Sequence, residues 1–243
     1  MRPTAPRLTT LFEDDALIVL AKPAGTPTAN APRGTESMFT LVQQALPRGA
    51  FLGVVSRLDA PVSGVLVFAK TRPAAASLAE QFRNRSVTKE YQAVVEGRFP
   101  APVGTWVDWH DLIERHDVDP DADDETAGAR EAHVRARVVQ RAGEVSLVDL
   151  LPSTGRRHQL RQQLANRGCP IVGDRRYGAR LPFAEGIALH AHRLTIAHPT
   201  TGAIMPFEAP LPTGWKSRFP ALFASRTSDA RDPEKQERPR FEG

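Results

Sequence analysis

The chain is poor in cysteine and in long apolar runs, and each scarcity excludes a class of protein. Its 243 residues include one cysteine, Cys169, so an intramolecular disulfide and a cysteine-rich zinc site are both excluded. No stretch approaches the roughly 20 apolar residues of a membrane-spanning helix. Acidic residues 13–15 interrupt the apolar segment that a signal peptide would need. We therefore expect a soluble, cytoplasmic protein with no membrane partner.

Acidic side chains are concentrated in one segment, and this leaves the rest of the chain basic. Residues 116–131 hold seven acids and one arginine, so the net charge of +4 becomes +10 for the remainder. This acidic segment is interpreted as a solvated loop. Residues 153–180 contain seven arginines and one acid. Arginine forks match phosphate geometry, which favours a polyanionic partner, and a solvated basic surface is the alternative.

Short β-branched runs outnumber helical patterns along the chain. Strands are predicted at 16–21, 65–69, 91–95, 134–139, 145–150 and 189–196, and helices at 37–45, 74–85 and 157–167. Strands and helices do not alternate regularly. The pattern therefore indicates an α+β fold with a long mixed or antiparallel sheet flanked by helices and loops.

A loop that precedes the apolar run at 65–69 carries both an arginine and a carboxylate. Arg57 and Asp59 lie in this loop, which is punctuated by Pro61 and Gly64. A loop at the mouth of a rigid strand can present a reactive side chain. An aspartate that only caps a turn is the alternative, and spacing alone favours it.

A second cationic cluster falls on the helix predicted at 157–167. There Arg157 and Arg161 would lie one turn apart, and His158 would share a face with Arg161. Such a face can bind phosphates or pair with a buried carboxylate. A surface salt-bridge helix of little energetic value is the alternative, and the spacing favours neither.

Five motifs, in the expected order, resemble those of the RluA-type family of RNA pseudouridine synthases. The motifs lie at 13–15 with 22–25, at 57–71, at 89–97, at 155–161 with 170–178, and at 189–191 with 198–212. The resemblance covers residues 11–212. It departs from the family at Ser56, Val62, Arg157 and Gln163, which bears on the choice of substrate.

The resemblance implies the pseudouridine synthase catalytic fold and isomerisation of uridine to pseudouridine in ribosomal or transfer RNA. By position, Asp59 would be the catalytic aspartate, Tyr91 the aromatic residue against the target base, and Arg161 the basic partner of Asp59. Arg57 would help to displace the flipped nucleotide. No cofactor or metal is implied, since a carboxylate can serve as nucleophile or base in this reaction.

An RNA surface and a division of the chain also follow from the resemblance. Contacts to RNA are expected from Arg57, Arg156, Arg157, His158, Arg167, Arg175 and Arg176. Residues 1–10 are predicted to be a polar arm, 11–224 a catalytic domain without an S4-type RNA-binding domain, and 225–243 a disordered tail. A monomer satisfies these expectations. The alternative is a non-catalytic RNA-binding protein that keeps the synthase scaffold.

Overall fold

Ten strands form one sheet in residues 8–32, 34–113 and 129–224, which are the residues described by the computed structural model. The strands are β1 (Thr10–Glu13), β2 (Leu17–Lys22), β3 (Gly53–Val54), β4 (Ser63–Ala69), β5 (Thr88–Glu96), β6 (Trp106–Ile113), β7 (Arg130–Ala142), β8 (Val145–Pro152), β9 (Leu189–Ala197) and β10 (Ile204–Glu208). Their order is β1-β2-β4-β9-β5-β8-β7-β6, with β10 on β9 and β3 on β4.

Helices flank this sheet, as the sequence predicts. They are α1 (Met38–Ala45), α2 (Arg72–Arg83), α3 (Gln159–Ala165), α4 (Thr213–Arg218) and α5 (Pro220–Phe223), with a 3₁₀ turn at Arg175–Tyr177. The expected α+β architecture is confirmed. None of the helices in the described ranges is long and apolar enough to cross a membrane.

Strand β4 lies at the centre of the core because apolar side chains cover both of its faces. All seven of its residues are buried. Successive side chains of a strand point to opposite faces, so Val65 and Val67 pack in the cluster of Leu78 from α2, whereas Phe68 packs in the cluster of Met38 from α1. Burying each large apolar side chain contributes roughly 1.5–3 kcal/mol. The loop before β4 is therefore attached to a rigid strand.

One parallel pairing brings the two halves of the sheet together. Strand β4 pairs with β9 in parallel, Ser63 beside His190 and Gly64 beside Ala191, whereas the other strand pairs are antiparallel. Gly64 has φ +128°, and a Cβ at this position would lie 2.2 Å from the Ala191 carbonyl oxygen. Only glycine permits this close approach.

Several predicted boundaries differ from the structure, and three segments lie partly or wholly outside the described residues. Strand β7 begins at Arg130, inside the segment predicted as an acidic loop, because Arg130 pairs with Ile113 of the unpredicted strand β6. Helix α2 begins at Arg72, two residues earlier than predicted, because the Thr71 hydroxyl accepts a hydrogen bond from Ala74 N. The structure does not describe residues 1–7 of the predicted arm, residues 114–128, or the predicted tail at 225–243.

Candidate active site

The three residues predicted to be catalytic come together in one cleft. Asp59, Tyr91 and Arg161 all line a cavity of about 470 Å³. Its walls come from the loop before β4, from β5 and β9, from the β8–α3 connection and from the end of α2. Asp59 and Arg161 are 102 residues apart in the sequence, so the sheet topology is what brings them into contact.

Backbone and side-chain hydrogen bonds fix the loop that carries Asp59. The Thr28 hydroxyl donates to the Leu58 carbonyl at 2.8 Å and accepts from Leu58 N at 3.0 Å. The Lys22 ammonium, at the end of β2, donates to the Ala60 carbonyl at 3.1 Å. These contacts hold the backbone on both sides of Asp59, so the carboxylate is presented in one position.

Among the described residues, contacts to the Asp59 carboxylate are made to one of its two oxygens. Its Oδ2 accepts a hydrogen bond from Arg161 Nη1 at 3.1 Å and lies 3.5 Å from His158 Nε2. Its Oδ1 accepts no hydrogen bond from the part of the chain that the structure describes. The side chain is 28% exposed. One carboxylate oxygen is therefore held, and the other receives no hydrogen bond from the described residues.

A second carboxylate, Asp174, anchors Arg161. Arg161 donates from Nε to Asp174 Oδ2 at 2.6 Å and from Nη2 to Oδ1 at 2.8 Å. The two residues are 6% and 1% exposed. Burial acts to lower the pKa of Arg161, but the contacts with Asp174 and then Asp59 outweigh it and raise that pKa. The bidentate pair fixes the guanidinium plane against Asp59.

Tyr91 faces the cleft from β5 as a neutral phenol. Burial, followed by the negative charge of Asp59, raises the pKa of Tyr91 above its ordinary value. Its pairing with Leu150 on β8 and Ala191 on β9 fixes the backbone on both sides. An uncharged aromatic side chain at this place can pack against a base.

The predicted helix at 157–167 is wrong at its N-terminal end. Helix α3 begins at Gln159, and His158 has the left-handed φ of 53°. Gln159 Oε1 accepts hydrogen bonds from Arg156 N at 3.0 Å and from the Thr154 hydroxyl at 2.8 Å, which stabilise a turn in place of the first helical residues. The shared helical face expected for Arg157, His158 and Arg161 therefore does not exist.

His158 points inward, into the environment of Asp59. Its Nδ1 lies 2.9 Å from the Tyr177 hydroxyl and its Nε2 lies 3.5 Å from Asp59 Oδ2. Burial lowers the pKa of His158, although Asp59 acts in the opposite direction. Tyr177 also packs under Arg161, whose Cζ lies 5.0 Å from the centre of its ring. His158 and Tyr177 thus complete the polar surroundings of the carboxylate.

The arginines predicted to contact RNA occupy different places. Arg57 and Arg156 line the cleft. Arg157, Arg175 and Arg176 are exposed and lie outside the cleft lining. Arg167 also lies outside it, because both terminal nitrogens bind Asp111, at 3.0 and 3.1 Å, and Cζ packs 4.1 Å from the Trp109 ring centre.

Several residues for which the sequence predicted no role also lie at the site. Asp174 was part of a motif, but its pairing with Arg161 is invisible in the sequence. Lys22 is buried, and its ammonium donates to the carbonyls of Pro23, Thr26 and Ala60. Burial lowers the pKa of Lys22 to about 7, and Asp59 acts in the opposite direction. The further cleft cations are Arg83, Arg85, Lys89 and Arg193.

The buried Gln163, one of the departures from the family pattern, connects α3 to two strands. Its side-chain nitrogen donates to Asp111 Oδ2 of β6 at 2.6 Å and to the Ala132 carbonyl of β7 at 3.2 Å. Its side-chain oxygen accepts from Gln159 Nε2 at 3.1 Å. The amide therefore has a structural role behind the site.

A model of the RNA pseudouridylate synthase family matches residues 16–166. This match includes Asp59, Tyr91 and Arg161. The chain belongs to this family. The predicted resemblance and the enzyme class that it implied are thus confirmed at the level of the family.

Two relatives show how far this similarity extends. The chain is 34% identical over 216 residues to a ribosomal large subunit pseudouridine synthase C from Yersinia pestis, covering 83% of this chain and 65% of that protein. It is 33% identical over 220 residues to an uncharacterized RNA pseudouridine synthase from Bacillus subtilis, covering 88% of this chain and 72% of that protein. The chain thus spans less than two thirds of the Yersinia pestis protein.

Solved structures confirm the predicted fold. Human RNA pseudouridylate synthase domain containing 4 superimposes with a TM-score of 0.69 at 25% identity, covering 88% of this chain and 93% of that one. Human RNA pseudouridylate synthase domain containing 1 gives a TM-score of 0.68 at 26% identity, with 87% of each chain covered. The mixed sheet described above is therefore a pseudouridine synthase fold.

Proposed function

We propose that this protein isomerises uridine to pseudouridine in RNA, with Asp59 as the catalytic carboxylate and without a cofactor. The observation that carries the proposal is the geometry of the carboxylate: in a cleft of about 470 Å³, Arg161 binds Asp59 Oδ2 at 3.1 Å, and no described residue donates a hydrogen bond to Oδ1. Family membership gives the reaction class. The geometry of the cleft supports the choice of Asp59 as the reacting residue.

The chemistry requires only groups that the cleft supplies. The N1–C1′ bond of uridine breaks and a C5–C1′ bond forms, while C5 loses its hydrogen and N1 gains a proton, so the reaction is neutral in atoms and electrons. A carboxylate can act as nucleophile or as base in these steps. The hydrogen bond from Arg161 to Oδ2 orients the carboxylate before substrate binds, which lowers the entropic cost of reaching the transition state.

The substrate must leave its base stack, because C1′ and C5 of a stacked nucleotide are inaccessible to a side chain. Tyr91 would pack against the extruded base, and Arg57, at the mouth of the loop, would occupy the space that the nucleotide leaves. Arg156 would contact a backbone phosphate. The name of the Yersinia pestis relative refers to the large ribosomal subunit, so ribosomal RNA is the first substrate to test and transfer RNA the second.

Pseudouridine mapping in cells tests this proposal. Total RNA from a strain that lacks the gene would be compared after complementation with wild type, with Asp59→Asn, or with Asp108→Asn. Asp108 lies on β6, outside the cleft lining, and its side chain is 59% exposed and paired with Arg135. The control thus makes the same chemical change away from the cleft.

Wild type and Asp108→Asn should restore the same few sites, and Asp59→Asn should restore none. Restoration by Asp59→Asn as complete as that by wild type would overturn the assignment of the carboxylate. A strain that loses no site would favour the non-catalytic RNA-binding alternative.

A further inference from the structure

The cations that line the cleft fall into two electrostatic groups. Arg161 is paired with Asp59 and Asp174, and Arg193 lies 2.8 Å from Glu208. In contrast, Arg83, Arg85, Lys89 and Arg156 form no salt bridge with any carboxylate in the described ranges. Among these four, the charge of Arg85 acts on both Lys89 and Arg156, and we call these three residues the cation triad.

Backbone contacts hold two members of the triad in fixed positions. The Lys89 ammonium donates to the Thr154 carbonyl at 3.1 Å and lies 3.6 Å from the place that a Cβ on Gly155 would occupy. Arg156 Nε donates to the Glu131 carbonyl at 3.1 Å. Each contact uses one donor, which leaves two ammonium hydrogens and the terminal guanidinium nitrogens for a ligand.

The members of the triad are close enough to repel one another. Burial, and then the charge of Arg85, lower the pKa of Lys89 to about 8. Burial, Arg130 and Arg85 lower the pKa of Arg156, and Glu131 acts in the opposite direction. Like charges that converge are unfavourable, and no described carboxylate forms a salt bridge with any member of the triad. A bound anion would remove this repulsion.

The triad lies beside the place where the target nucleotide would react. Lys89 and Tyr91 are two residues apart on β5, a separation of roughly 6–7 Å along a strand, and both line the cleft. Arg156 approaches from the connection between β8 and α3, and Arg85 from the connection between α2 and β5. An anion bound by the triad would therefore lie close to Tyr91, since Lys89 is two residues away on the same strand.

We propose that Arg85, Lys89 and Arg156 together bind one phosphodiester group of the RNA, adjacent to the nucleotide that reaches Asp59. The inference rests on the proposed function, because it supplies the anion. A single phosphate offers acceptor oxygens in several directions, which suits donors that arrive from three different segments. The site holds the backbone on one side of the extruded nucleotide.

The test compares RNA binding by variants that remove a positive charge inside or outside the triad. Fluorescence anisotropy would measure how tightly the protein binds a fluorescein-labelled oligouridine at a series of KCl concentrations. The proteins compared would be wild type, Arg85→Gln, Lys89→Gln, the double variant with both of these substitutions, and Arg98→Gln. Arg98 is exposed and lies outside the cleft lining, so it controls for loss of one positive charge. Lys89→Arg tests whether a positive charge suffices at that place.

Arg85→Gln and Lys89→Gln should each bind about tenfold more weakly than wild type. The slope of the logarithm of the binding constant against the logarithm of the KCl concentration should become smaller in magnitude by about 0.7, which corresponds to one lost phosphate contact on single-stranded RNA. The double variant should lose little further slope, since both residues bind the same phosphate. Arg98→Gln and Lys89→Arg should stay within about twofold of wild type. Thermal melting would confirm that every variant is folded.

Three results would overturn the shared phosphate site. The first is an additive loss of about 1.4 in slope for the double variant, which indicates two separate phosphates. The second is an unchanged slope in both single variants, and the third is an absence of salt-dependent binding by wild type. Pseudouridine formation in ribosomal RNA by the same protein preparations reports on the proposed function separately, so the two failures are distinguishable.

Discussion

Neutralising Asp174 should destabilise the fold far more than neutralising an exposed carboxylate that also binds an arginine. Asp174 is 1% exposed and makes two hydrogen bonds with Arg161, which is itself 6% exposed. Breaking a buried pair by removing one charge costs about 3–5 kcal/mol, because the remaining charge stays in a poorly solvated place. Asparagine keeps the size of the side chain, and Asp59 remains beside Arg161, so we expect about 3 kcal/mol for Asp174→Asn.

The matched comparison is Glu208→Gln. Glu208 pairs with Arg193 at 2.8 Å, similar to the buried contacts, but the two side chains are 52% and 42% exposed. Solvent screening limits an exposed pair to about 0–1 kcal/mol. The difference between the two variants isolates the effect of burial.

Urea unfolding followed by tryptophan fluorescence measures both values. The midpoint should fall for Asp174→Asn with an unchanged slope, which identifies a change in stability and not in the surface exposed on unfolding. Isomerisation by the folded Asp174→Asn protein should fall about tenfold, since Arg161 loses its anchor. Equal stability losses for Asp174→Asn and Glu208→Gln would refute the reasoning from burial.

Two further predictions concern the junction of β4 and β9. Burial lowers the pKa of His190 to about 4, so as the pH falls the unfolded chain takes up a proton on this histidine before the folded protein does. The free energy of unfolding should therefore be unaffected by His190 above about pH 6.5 and should fall by about 3 kcal/mol between that pH and about pH 4. Urea unfolding across this range should show a shallower acid loss for His190→Gln, and an equal loss would contradict it. Gly64→Ala should lower the melting temperature far more than Gly104→Ala. Both glycines have a positive φ, but only a Cβ at position 64 would clash with the backbone of Ala191. Equal decreases in melting temperature would contradict this prediction.

Local patterns identified six of the ten described strands and three of the five described helices, where local interactions decide the structure. The β-branched residues 65–69 predicted a buried strand, and β4 is buried throughout. Leu160 and Leu164 indicated a helix, and α3 places both in the core. The prediction placed the start of that helix too early, because His158 has a left-handed backbone conformation. The side chain of Gln159 stabilises the turn before the helix, and the spacing of apolar residues does not reveal such a turn.

The site depended on long-range contacts that no local pattern contains. Spacing alone favoured a turn-capping role for Asp59, and only the family resemblance paired it with Arg161. The parallel contact of Ser63 with His190 joins segments 127 residues apart, and it places the Asp59 loop between β9 and the β8–α3 connection. The anchoring role of Asp174 follows from the same topology and was not predicted.

Release of the C5 hydrogen tests the central claim most directly. RNA labelled with tritium at C5 of uridine loses that label to water only when C5 forms its new bond. Purified wild type should release tritium in a fixed proportion to its target sites. Asp59→Asn should release none, while it binds oligouridine within about twofold of wild type. Tritium release by Asp59→Asn at the wild-type rate would contradict the assignment of Asp59 as the catalytic carboxylate.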